Sequence, residues 1–239
     1  MVSPVLFVVG SGRSGTLSWA QALHGIHEGH KRLTVPLGTM FAAGAPGRMI
    51  EDALRGPVED WAKVESGWMY TPLVPILDRL CGPKWLWPVR RPAATVASMV
   101  GKGWYSPGDD ELLPVQVRYA TVDGGRLMWN RWVNQAAYRI TAPLAGELSL
   151  PEWRGLSQVE RCAWWWDWSA RRLLSTLPPD RTRIVRMETP APARDVSAWS
   201  GLTCSPLPWS NTSVPPVLSE RDLGAVAAIT GATEATLYG

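Results

Sequence analysis

The chain has 239 residues, 46% of them hydrophobic and 19% charged, a balance ordinary for a globular chain with one substantial buried core. Its net charge of +3 is small and dispersed, which argues against a nucleic-acid partner and mildly favours a small anionic ligand. Cys81, Cys162 and Cys204 lie too far apart for a zinc site, and the opening apolar run stops at Gly10, so a cytoplasmic protein with no metal and no stable membrane insertion is expected.

Val5 to Val9 is apolar at every position, which predicts a strand buried on both faces. A glycine turn follows, and Leu17, Ala20 and Leu23 then recur at helical spacing from Thr16 to Leu23. A short strand is predicted around Ile26, and a helix from Arg48 to Leu54 after the breaker at Gly44 to Pro46. Trp61 to Glu65 alternates as a strand; Tyr70 to Leu80 is helical in pattern, with Pro72 near its start and Pro75 as a kink. Lys84 to Val89 is the next strand, where Pro88 suits only an end or an edge. Pro92 then opens a helix from Ala93 to Val100, in the first-turn position that suits proline.

From Gly103 to Pro151 glycine, proline and tryptophan are scattered, and one helix is predicted around Leu127 to Ile140. A long helix starts at Glu152 or Ser157 and stops before Pro178 and Pro179. Arg183 to Met187 is a last strand, Pro206 to Pro216 a proline-rich loop, and Glu220 to Ile229 a terminal helix. Strands alternating with helices predict an α/β fold, a central parallel β-sheet flanked by helices. One domain over residues 1–239 is expected, with a loosely patterned insertion at about 103–150 covering one side of a binding site.

Two stretches carry chemistry. In "GSGRSGT" (Gly10 to Thr16), Gly10, Gly12 and Gly15 let successive backbone N–H groups point inward at anionic oxygens, and Ser14 and Thr16 add hydroxyls. Gly10 and Gly15 have the spacing of a nucleotide-hydrolysing loop, but Thr16 and Leu17 stand where the lysine and the magnesium-binding hydroxyl belong, which argues against ATP. The plainer alternative is a glycine turn that binds nothing. In "VRRPAATVAS", Arg90 ends a strand and Ser98 follows about two helical turns later, a second place for a phosphate; a surface arginine with a packing serine is its plainer alternative.

Taken together, "RSGT" after the first strand and strand–R-x-P–helix–Ser resemble the sulfotransferase family that uses PAPS (3'-phosphoadenosine 5'-phosphosulfate). The resemblance implies a three-layer P-loop-like fold, with PAPS as co-substrate and no metal. Gly12, Arg13, Ser14, Gly15 and Thr16 would cradle the phosphosulfate, and Arg90 and Ser98 would bind the ribose-linked phosphate. Weaker similarities follow at Glu188, at "SNTS" (Ser210 to Ser213) and at the closing "ATLYG".

Sulfuryl transfer needs a base for the acceptor hydroxyl or amine and a cation where leaving-group charge grows. Arg13 suits the second need. By resemblance Glu28 is the preferred base, with His27 second, and Glu65 a further base or substrate-orienting carboxylate; a solvated turn is the plainer alternative for "HGIHEGH". Trp104 and Tyr105, in the loosely patterned stretch, are candidate contacts to a small-molecule, lipid or carbohydrate acceptor. Trp166, Ala170, Leu173 and Leu177 share a helical face and read as core, while one of Trp164, Trp165 and Trp168 could stack on adenine or wall the acceptor site, a structural role being the plainer reading of each. A P-loop small-molecule kinase and a non-catalytic nucleotide-binding module are the alternatives.

Overall fold

Leu6, Phe7 and Val8 are fully buried because their strand lies at the centre of a five-stranded parallel sheet. The computed structural model describes residues 4–106, 112–120, 126–134, 136–189, 193–208 and 214–239, with backbone alone over 113–120 and 126–132 and at 137. In chain order the strands are β1 (Leu6–Val8), β2 (Ile26–His27), β3 (Val64–Ser66), β4 (Lys84–Val89), β5 (Leu112–Ala120), β6 (Arg126–Asn134) and β7 (Thr182–Arg186). The helices are α1 (Thr16–Ala22), α2 (Lys31–Ala42), α3 (Gly47–Val58), α4 (Val74–Cys81), α5 (Pro92–Val100), α6 (Ala142–Ala145), α7 (Leu150–Gly155), α8 (Gln158–Thr176), α9 (Ala193–Ser200) and α10 (Glu220–Tyr238).

The sheet runs β2-β3-β1-β4-β7, and every pairing in it is parallel. Alternate side chains of β1 enter opposite layers, as strand geometry requires. Leu6 and Val8 pack with Trp19, Leu23 and Val196 on the α1 and α9 side; Phe7 and Val9 join the larger core that holds Trp85, Leu77 and Trp165. β1 is followed in the chain by strands on one side of it and then by β4 on the other. Its carboxyl end is therefore a switch point, where sheets of this class leave a crevice. No helix among the described residues is long and apolar enough to cross a membrane.

Several elements differ from expectation, each for a visible reason. Pro88 sits inside β4, which has neighbours on both sides. The Leu86 carbonyl accepts from Val9 N on the β1 side, and the Val89 carbonyl from Met187 N on the β7 side. By alternation Pro88 faces β1, which has already ended at Val8, so the missing N–H breaks no ladder. Pro75 does not kink a helix; it lies in the first turn of α4, after a 3-10 turn over Trp68–Leu73.

The helix expected around Leu127 to Ile140 is instead β6, paired antiparallel with β5 from Leu112↔Asn134 to Ala120↔Arg126. Val115, Val117 and Tyr119 alternate at strand period, and Asp123-Gly124 between the strands is a hairpin-type dipeptide. The long helix begins at its Ser157 capping box, and Ser149 caps the separate α7 in the same way. The proline-rich stretch has no regular structure among its described residues, and "SNTS" lies outside them.

No element is predicted from sequence over 31–42, where α2 forms in spite of Pro36. Burial of Val35, Leu37 and Met40 outweighs the lost backbone bond. Gly38 lets α2 approach the 3-10 turn: a Cβ there would stand 2.7 Å from the Pro72 ring and 3.3 Å from the Met69 carbonyl oxygen. Two effects therefore oppose each other in Gly38→Ala. Helix propensity would favour alanine by about 1 kcal/mol. Overpacking against a rigid ring costs about 1–3 kcal/mol. We expect net destabilisation, read as a lower urea midpoint at unchanged slope; a stabilised variant would contradict the close packing.

Candidate functional site

Beyond β1 the chain turns through Gly12 (φ 79°), Arg13 (φ 56°) and Gly15 (φ 105°) before α1 begins. Glycine is required at both ends of that turn. A Cβ on Gly12 would stand 2.7 Å from the Trp104 ring, and one on Gly15 would stand 2.6 Å from the Met187 methyl. Carbonyls of the loop are tied from behind: Thr71 Oγ1 donates to Gly10 O (3.0 Å) and Trp165 Nε1 to Ser11 O (2.6 Å). Neither donor lines the cavity in front of the loop.

The two sequence motifs meet at Arg13. Its Nε donates to Ser98 Oγ at 3.0 Å, while its Nη2 is buried without a partner. Burial, and secondarily the charge of Arg90, hold the Arg13 pKa below its ordinary value. Among the described residues no carboxylate pairs with Arg13 or Arg90. The Arg90 carbonyl is fixed by Trp166 Nε1 at 3.1 Å. Arg91 turns away to pair with Glu234 at 3.0 Å and to lie over Tyr238. Glu188 belongs to that same clasp, accepting from Arg91 N (2.7 Å) and from the Tyr238 hydroxyl (3.0 Å).

A cavity of about 230 Å³ opens in front of the loop, lined by Gly12, Arg13, Gly15, Thr16, His27 and Glu28 among the expected residues. Trp104 also lines it, with Trp68 edge-on at 5.9 Å. Ser14 does not; its buried, unpartnered hydroxyl borders a separate space of about 10 Å³, room for a single water at most. Tyr105 is fully buried and donates to the Ile140 carbonyl, so it belongs to the core. Glu65 is fully buried as well, accepting from Ala62 N (2.9 Å) and Tyr70 (3.0 Å) and pairing with His30 at 3.3 Å. Burial raises its pKa, against those three partners.

The three histidines diverge. His24 meets Ser205, His30 meets Glu65, and only His27 faces the cavity. Its protonation can be assigned by counting hydrogens. Ser66 Oγ stands 2.9 Å from the Thr16 carbonyl oxygen, which can only accept, so the single hydroxyl proton lies between them. Ser66 must then accept from His27 Nδ1–H at 3.1 Å. Nε2 is left bare in the neutral ring, and burial holds that ring neutral by lowering its pKa, against the pull of Glu28. Glu28 Oε1 lies 3.9 Å from Nε2, and Lys31 Nζ holds its other oxygen at 3.2 Å.

Five cavity residues were missed by sequence: Leu17, Lys31, Trp68, Lys102 and Arg139. Lys31 follows Glu28 by three residues on a stretch with no predicted helix, and no local signal marks Arg139. Trp166 was expected in the core and is there; Trp164, Trp165 and Trp168 are buried as well, and Trp165 and Trp166 also hold the two motif loops. Neither a scan against protein-family models nor a search of curated proteins gives a match to this chain.

The tautomer is directly measurable. Nitrogen-15 NMR of labelled histidine above pH 7 should show His27 with hydrogen on Nδ1 and a bare Nε2. In Ser66→Ala the ring loses its acceptor and should move toward the Nε2–H form. A wild-type ring protonated on Nε2 would contradict the hydrogen count.

Proposed function

We propose that the chain is a PAPS-dependent sulfotransferase with a P-loop-like fold, moving a sulfuryl group to a hydroxyl of a small acceptor. The observation that carries this reading is the meeting of Arg13, Arg90 and Ser98. The charge of Arg90 is near enough to lower the Arg13 pKa, no carboxylate among the described residues pairs with either arginine, and one buried Arg13 N–H lacks an acceptor. Unpartnered buried donors are costly, and a bound oxyanion relieves both that cost and the repulsion. Ser98 accepts from Arg13, so its own hydroxyl proton remains free to donate to the same anion.

PAPS, when bound, supplies a sulfuryl group joined to a phosphate leaving group. Arg13 and the backbone N–H groups of 12–16 donate where negative charge grows during transfer. Arg90 and Ser98 fix the second phosphate and so the orientation of the whole nucleotide. His27 Nε2, bare and facing the cavity, accepts the proton of the acceptor hydroxyl. Glu28 then lies 3.9 Å from the imidazolium and stabilises it. This division of labour reverses the order expected from sequence. One oxygen of Glu28 is engaged by Lys31 at 3.2 Å, whereas His27 lines the cavity with Nε2 bare.

The test of the nucleotide is direct. PAP, the desulfated product, should stabilise the protein by about 2.7 kcal/mol at a hundredfold excess over its Kd. Arg90→Ala should weaken PAP by about 10–100-fold, the worth of one charge-assisted contact. If PAP gives no thermal shift while magnesium ATP does, the protein is a phosphotransferase instead.

The base has its own signature. The His27 pKa is lowered, so the active neutral ring is present above the folded pKa and is lost as pH falls through it. The acid limb of kcat/KM should therefore lie below 6.5. With labelled PAPS and a panel of hydroxyl acceptors, His27→Asn should lower kcat by about 10²–10⁴-fold, and Glu28→Gln by less. The opposite ranking would make Glu28 the base.

A further inference from the structure

The peptide unit that follows Arg90 is gripped at both ends. Its carbonyl oxygen, that of Arg90, accepts from Trp166 Nε1 at 3.1 Å, and its N–H, that of Arg91, donates to Glu188 Oε1 at 2.7 Å. The second oxygen of Glu188 accepts from the Tyr238 hydroxyl of α10 at 3.0 Å, so the carboxylate is itself held. Sheet register brings Glu188 to this place. Val89 pairs with Arg186 where β4 and β7 end, and Met187 N adds one more bond, to the Val89 carbonyl at 2.8 Å. The residue after Met187 therefore comes level with the chain that leaves β4. The Arg91 guanidinium meanwhile pairs with Glu234 at 3.0 Å, so Glu188 serves the backbone and not that charge.

We propose that Glu188 is a positioning residue for the ribose-linked phosphate of the nucleotide, acting through Arg90. The inference rests on the sulfotransferase reading for the nucleotide, and on the hydrogen bonds alone for the grip. Each residue has only two soft backbone dihedrals, so the direction in which Arg90 leaves the main chain is set by the peptide units on either side of it. The unit before it belongs to the end of β4, and the unit after it is fixed by Trp166 and Glu188. A hydrogen bond to an ionised acceptor is shorter and stronger than a neutral one, which suits a grip on an exposed loop. Without Glu188 the Trp166 bond becomes a single pivot, about which the peptide rocks and the guanidinium swings. A donor displaced in that way loses much of its hold on a ligand fixed elsewhere. The loop that carries Arg13 is pinned separately, by Trp165 and Thr71.

A double-mutant cycle on the whole chain, read by calorimetric titration with PAP, tests this. Glu188→Ala should weaken PAP by about tenfold, while Glu188→Gln, whose amide oxygen still accepts from Arg91 N, should bind PAP as the wild type does. In an Arg90→Ala background Glu188→Ala should bring no further loss, because the side chain it acts through is gone. General loosening of the site would instead give the same loss in both backgrounds. That additive result, an unchanged PAP affinity in Glu188→Ala, or a Gln variant as weak as the Ala variant would each overturn the proposal. If wild-type protein binds no PAP, the nucleotide reading falls on its own. Hydrogen exchange at the Arg91 amide then decides the grip: it should quicken by about tenfold or more in Glu188→Ala, and equal rates would overturn it.

Discussion

Two neighbouring indoles on α8 hold the site together. Trp165 Nε1 donates to the Ser11 carbonyl and Trp166 Nε1 to the Arg90 carbonyl, so loops that follow β1 and β4 are pinned by adjacent residues of one helix. Both rings are almost fully buried, which makes each hydrogen bond expensive to lose and each ring a large share of the core. Their rigidity is what allows Arg13 and Arg90 to stay close in spite of like charge. A flexible surface pair would separate into water; here the backbone on both sides is fixed.

The same helix is anchored at its other turns. Trp164 Nε1 donates to Glu147 at 2.8 Å, Asp167 pairs with Arg171 at 2.7 Å and accepts from Thr233 of α10. At the far edge Tyr238 of α10 is clasped by Glu188, Arg91 and Arg186. The binding face therefore rests on buried helices behind it, and its exposed charges have little structural work.

Much of this was legible in the sequence where local chemistry and tertiary structure agree. β1, the glycine turn and α1 are written in consecutive residues, and Pro92 opens α5 as its position requires. The strands β5 and β6 were missed although their pairing is a local hairpin, because Pro114 and the runs of adjacent apolar residues in β6 obscure the alternation. Formation of α2 was hidden for a different reason: Pro36 and Gly38 oppose the helix locally, and only packing against the 3-10 turn at Trp68–Leu73 overrides them. Arg139 could not be found at all from sequence, since its place in the cavity depends on where the chain returns after β6.

The case of Glu65 shows how fine that limit is. A carboxylate at a strand end near the cradle was a sound candidate for the base. Yet strand side chains alternate, and one residue decides which layer each enters. Glu65, opposite Phe7, turns into the tryptophan-rich layer among Tyr70, Trp61 and His30. Ser66, opposite Val8, turns toward α1, where it meets Thr16 and orients His27. The buried acid then has a mechanical role, gripping Ala62 N and Tyr70 so that β3 ends where Ser66 can reach both partners. The site thus uses the residue after the predicted one, and it uses a hydroxyl to set a tautomer where a carboxylate was expected to take a proton.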